Sequence, residues 1–244
     1  MCSPEYEDLH PHSTEGPLPL PWIINTIALR RLRKGCIDDE AVNYYIQLLC
    51  GTHTALKCTL IHTYTLHRVF HLEDNEHYVS LSEHDHRTLR RLDLYRCDII
   101  FAPIIFGNHI TLITADRRTG EIVHEDSYNN MHHGGTNTYA VMLKVLLKEQ
   151  WEWRQRRMLE HQRSYSEEWQ CTAAPTISVP QQVGGVDCGI FTCAFATLKA
   201  LELSKTVFNQ RHTTFMRRHM ANCIIMHICP KLRIQGQNMV HQID

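Results

Sequence analysis

Residues Val179 to Phe191 read VPQQVGGVDCGIF, a polar, glycine-rich run that leads straight into an apolar helical pattern. Cys188 falls where that pattern begins. The unpaired N–H groups and positive dipole end of a helix start favour a thiolate. The thiolate is the nucleophile, and an imidazole able to take its proton strengthens it. Gly189 has no side chain to crowd a substrate carbonyl, and the backbone N–H of Cys188 points into the same space. Gln182, on the same loop, is placed to return and give a second donor to an oxyanion. One such donor is worth about 3–4 kcal/mol. Gly184 and Gly185 let the loop bend, and Asp187 suits the helix N-cap.

A thiol nucleophile of this kind needs a base and a carboxylate that orients it. His109 to Ser127, HITLITADRRTGEIVHEDS, predicts two strands with the Asp116 to Gly120 segment closing a hairpin. His109 starts the first strand and Asp126 lies just past the second. The hairpin therefore returns the carboxylate to the imidazole at one edge of a sheet. The run before it, DIIFAPIIF from Asp98, lacks polar alternation, which predicts a strand covered on both faces.

The bulk numbers are permissive. A chain of 244 residues, 43% hydrophobic and 21% charged, can bury a sizeable core in one large domain. A formal net charge of −1 gives no pull toward nucleic acid or anionic membrane. No apolar run approaches the roughly 20 residues that span a bilayer. The first 22 residues, rich in Pro, Glu, His and Ser, read as a poorly ordered tail, with one domain over 23–244. They lack a basic region followed by an apolar one, so secretion is not expected. Ten scattered cysteines without Cys-x-x-Cys then read as free thiols of an intracellular protein, nuclear or cytoplasmic.

Other segments complete the pattern. Asp38, Asp39 and Glu40 suit the start of a helix with Ala41, Tyr45, Leu48 and Leu49 on its buried face and Gly51 as its stop. Tyr139, Leu143, Leu146 and Leu147 stripe a long amphipathic helix. APTISVPQQ reads as a short strand, and a last helix around FMRRHMANCIIMHIC is halted by Pro230. LRRLRKG (Leu29 to Gly35), EHDHR (Glu83 to Arg87) and Met131 to His133 read as solvated surface. Strands between helices make the class α+β or α/β, with a central sheet of mixed direction. His219, Cys223 and His227 share one helical face, which reads as packed core because no fourth ligand with zinc spacing accompanies them.

These residues carry a resemblance. VPQQVGGVDCGIFTCAFA, with NHITLITADRRTGEIVHEDS upstream and the helix IDDEAVNYYIQLL, is similar to the ubiquitin-like-protein-specific (SUMO/sentrin-type) cysteine proteases. The similarity runs from Cys36 to about Pro230. It implies a papain-like α+β fold, with His109 as base, Asp126 as orienter, Gln182 as oxyanion donor and Cys188 as nucleophile. It implies no metal or organic cofactor, and a monomer whose partner is a ubiquitin-like modifier with its conjugates.

Three positions depart from the family's pattern. Cys36 and Ile110 stand where it carries tryptophans that line the tunnel over the substrate's Gly-Gly tail, and Gly184 replaces an asparagine. The implied activity is a cysteine isopeptidase and endopeptidase cleaving after the C-terminal Gly-Gly of a modifier, SUMO first. A deneddylase, a deubiquitinase, an effector-type protease or a related acyltransferase shares the same residues. A catalytically silent module that grips a modifier is the reading from another class.

Overall fold

In the computed structural model the described residues are 26–52, 55–71, 78–92, 94–128, 138–158, 168–173, 178–229, 232–235 and 238–241. The expected tail, Met131 to His133 and Pro230 lie outside them. Five strands form the main sheet: β1 (Cys58–Leu60), β2 (Ile99–Phe106), β3 (His109–Asp116), β4 (Glu121–Glu125) and β5 (Gln170–Ala173). They lie side by side in chain order. The two outer pairings are parallel and the two inner ones antiparallel. The sheet is therefore mixed, and the class is α+β.

The parallel pairs need crossovers, and helices supply them. Between β1 and β2 run α3 (Thr63–Val69) and α4 (Glu83–Arg91); between β4 and β5 runs α5 (Thr138–Met158). Before β1 lie α1 (Thr26–Arg33) and α2 (Asp39–Gly51), and after β5 come α6 (Cys188–Ala200) and α7 (Thr213–Met226). A two-stranded ribbon, β6 (Leu232–Gln235) with β7 (Asn238–His241), follows α7.

The unbroken apolar run of β2 has the cause expected of it. Ile99 and Phe101 join Leu60, Ile110 and Leu112 in a core beneath α2, α6 and α7. Ile100, Ala102 and Ile104 point the other way, into a second core with Leu66, Leu89, Leu143 and Leu146 from α3 to α5. Both faces are covered, so alternation along the strand is apolar on either side. Pro103 is tolerated because β1 pairs with β2 only as far as Phe101.

Several local expectations are corrected. APTISVPQQ lies in part outside the described residues; its described part, from Ser178, is not a strand, and β5 is at Gln170–Ala173. EHDHR is the start of α4, where Ser82 and Asp85 form a capping box and Arg68 pairs with Asp85. Its His86 stacks on Trp153 and bonds to Gln150. LRRLRKG keeps Arg30, Arg31, Arg33 and Lys34 exposed as expected, and most of it is a helix whose Leu32 enters the core. Gly51 ends α2 inside the helix, and the cap is Thr52. His227, at φ 54°, stops α7 in a left-handed turn ahead of Pro230. Local pattern cannot see these, because burial of a polar residue depends on what the rest of the chain brings to it.

Candidate active site

The two ends of the hairpin meet at the edge of β3. His109 Nε2 lies 2.7 Å from Asp126 Oδ1, and the same oxygen accepts the backbone N–H of Tyr128 at 2.8 Å. That fixes the imidazole by one ring nitrogen and leaves the other to interact with Cys188, whose ionisation is coupled to that of His109. The Cys188 Sγ also lies 3.9 Å from the Asn108 carbonyl oxygen. Cys188 is the first residue of α6, which is buried along almost its whole length. Thr192, one turn on, donates to the Ile110 carbonyl at 3.2 Å and ties the helix to the strand that begins with His109.

Two opposing effects set the charges. Burial disfavours the His109 imidazolium, but hydrogen bonds to Asp126 and Cys188 and their negative charge outweigh it and raise the pKa to about 9. Burial likewise raises the Cys188 thiol. The His109 hydrogen bond, the N–H groups of Ile110 and Gly189 and the imidazolium charge pull it below its ordinary value. Both shifts favour a thiolate beside an imidazolium.

Gln182 reaches the same loop cluster through Ser127, the residue after Asp126. Ser127 Oγ donates to Gln182 Oε1 at 3.1 Å, and the Gln182 N–H to the Ser127 carbonyl at 2.8 Å. Its side-chain amide donates one hydrogen to the Gly184 carbonyl at 2.7 Å. The second N–H remains for another acceptor. Gly184 stands at φ 87°, a left-handed conformation that glycine and asparagine tolerate best, which explains glycine where the resembling family has asparagine.

Two details of the nucleophile loop differ from expectation. Gly189 is needed by the core: a Cβ there would sit 2.5 Å from Ile37 Cγ1. Asp187 occupies the N-cap position without capping the helix. Its carboxylate is held instead by Arg217, at 2.5 and 3.2 Å, and by Gln210 Nε2 at 2.7 Å. The Arg217 guanidinium also donates to the carbonyls of Arg31, Leu32, Gly35 and Val186. One buried arginine thus locks the end of α1, the following turn and the residues before Cys188. Sequence offers no signal for it, since Arg217 lies 30 residues beyond Asp187.

The two positions of missing tryptophan are not equivalent. Cys36 is exposed at the rim, with its Sγ 3.8 Å from the Gly185 carbonyl. Ile110 is buried in the core under α6. The described cysteines are all free of disulfides, and among the described residues no helix is long and apolar enough to cross a membrane.

Comparison with known proteins shows the family. The Ulp1 protease family, C-terminal catalytic domain, matches residues 37–229. A sentrin-specific protease of Caenorhabditis elegans is 23% identical over 193 residues, covering 78% of this chain and 25% of that protein. The ubiquitin-like-specific protease ESD4 of Arabidopsis thaliana is 25% identical over 202 residues, 78% of this chain and 37% of its own length. The chain thus spans a quarter to just over a third of these curated relatives. Among solved structures, the SUMO protease Ulp1 with its catalytic cysteine oxidised to a sulfinic acid superposes with a TM-score of 0.61 at 17% identity, covering 84% of each chain. The C-terminal Ulp1 protease domain in complex with Smt3, the yeast orthologue of SUMO, gives 0.54 at 19% identity, over 82% of this chain and 81% of that one. The chain belongs to the Ulp1 protease family, and its domain is that of a cysteine-type peptidase.

Proposed function

We propose that this domain cleaves after the C-terminal Gly-Gly of a ubiquitin-like modifier, SUMO first, through a thioester on Cys188. The observation that carries the reading is His109 bonded to the Asp126 carboxylate and coupled in its ionisation to the Cys188 thiol at the start of a buried helix. The names of the relatives and the Smt3-bound neighbour support the modifier class.

In this reading the Cys188 thiolate adds to the carbonyl carbon of the terminal glycine. The developing oxyanion is met by the backbone N–H at the start of α6 and by the second Gln182 N–H. His109, protonated, gives its Nδ1 proton to the departing amine, and the thioester remains. Water then attacks; His109, now neutral, takes one of its protons, and collapse of the tetrahedral adduct releases the modifier's terminal carboxyl group and restores the Cys188 thiolate beside the imidazolium. Asp126 keeps the ring oriented and stabilises its charged form. The acting unit is residues 23–244 as one monomeric catalytic domain, working inside the cell on the modifier and its conjugates, without nucleic acid, membrane or cofactor.

Purified protein is tested against fluorogenic SUMO, Nedd-type and ubiquitin substrates and against the matching vinyl-sulfone probes. SUMO turnover with covalent capture at Cys188, both lost in Cys188→Ala, is the expected result. Tight modifier binding without capture would instead establish a silent binding module, and preference for another modifier would correct the substrate.

A further inference from the structure

The C-terminal end of α7 gathers three metal-ligating side chains far from any role in the peptidase site. His219 and Cys223 sit one turn apart on the inward face of α7. The left-handed turn at His227 brings the chain back, with the Ile228 N–H bonding the Cys223 carbonyl at 3.1 Å. That reversal lays Cys229 over the same spot. His227, which helical spacing alone would have made the third ligand, turns away to the Tyr44 hydroxyl at 2.7 Å. His219 Nε2 is 3.4 Å from Cys223 Sγ and 3.7 Å from Cys229 Sγ, and all three donor atoms lie within 4.8 Å of one another.

We propose that His219, Cys223 and Cys229 form a structural site for a soft divalent cation of the zinc class. Ideal zinc–sulfur and zinc–nitrogen bonds of about 2.3 and 2.0–2.1 Å place adjacent N and S ligands roughly 3.5 Å apart in a tetrahedron. The two observed separations bracket that value. Two thiolates and a neutral imidazole balance a 2+ charge, so the filled site is neutral and fits a core that would reject a net charge. All three residues are buried. The Tyr45 hydroxyl lies 4.0 Å from Cys229 Sγ and is itself bonded to Thr197 of α6. An ion there fastens the end of α7 to α2 and α6, beneath the helix that carries Cys188.

The test uses the full chain carrying Cys188→Ala, which removes the catalytic thiol as a competing ligand. After expression with zinc and purification under reducing conditions, elemental analysis is expected to find about one zinc per chain. Removing the metal and restoring zinc at a hundredfold excess over Kd raises Tm by roughly 5–10 °C. Adding Cys223→Ser and Cys229→Ser abolishes both effects, whereas His227→Asn, which tolerates the left-handed turn, keeps them. Cobalt substitution adds a readout independent of folding yield, in the form of thiolate-to-cobalt charge-transfer absorption. A protein that neither retains zinc nor gains Tm from it overturns the proposal. So does retention of zinc by the double serine variant, loss of it with His227→Asn, or a Cys223–Cys229 disulfide in the reduced preparation.

Discussion

At Cys188 the decisive quantity is the charge state of one sulfur, and the folded chain settles it by hydrogen bonds set against burial. The imidazole of His109 reaches a pKa of about 9 because Asp126 and Cys188 both favour its charged form. The profile of kcat/KM against pH should therefore rise as Cys188 ionises below its ordinary range and fall through about 9 as the imidazolium is lost. Asp126→Asn removes one cause of the high value. It should move the falling limb toward acid by roughly one unit and lower kcat on the order of 1,000- to 10,000-fold. A limb that stays near 9 in the variant would place the titrating group elsewhere. The placement of these residues was legible early: helix start, glycine pair and the His–hairpin–Asp spacing all lie in local sequence. The tether from Ser127 to Gln182 was not, because it joins residues 55 positions apart.

At the scale of an element, α6 presents its first residue only because two neighbours hold it. Ile37 fills the space over Gly189, so Gly189→Ala should cost about 1–3 kcal/mol in urea unfolding. Ile37→Ala should recover part of that loss in the double variant, giving a non-zero coupling energy. Arg217 is the second holder. Breaking a buried ion pair by removing one partner leaves the other uncompensated, so Arg217→Ala should destabilise the fold by about 3–5 kcal/mol. The measured loss should exceed that of Arg218→Ala, whose position lies one residue further along α7. Equal, small losses would show that Asp187 is satisfied without the arginine. Helix α6 itself was legible from the apolar helical pattern that begins at Cys188; the residues that fix its start were not.

For the whole molecule, two histidines pull stability in opposite directions with pH. His109, with its folded pKa raised to about 9, contributes fully below the unfolded value of 6.5 and loses that contribution as pH rises through 9. His124, bonded to Thr111 at 2.8 Å, is lowered to about 4 by burial. The unfolded chain binds a proton that the folded one refuses between 6.5 and 4. Its contribution is thus complete above 6.5 and disappears as pH falls toward 4. His124→Gln should flatten the loss of unfolding free energy between pH 7 and 4 by on the order of 1–3 kcal/mol. An unchanged slope would show that carboxylates alone set the acid limit.

Sequence by itself determined the elements whose cause is local: the apolar period of α2, α5 and α6, the hairpin that pairs His109 with Asp126, and the cysteine at a helix start. It also sufficed for family membership, because the residues around Cys188 are contiguous. Only the tertiary structure decided which polar residues are buried and what they meet. Asp187 turns to Arg217 instead of capping its helix, His86 stacks on Trp153 in place of facing water, and Cys229 displaces His227 beside His219. The reason is physical: a helix or strand follows from the periodicity of neighbours, whereas the partner of a buried polar group is set by chain reversals and crossovers that bring distant residues within bonding distance.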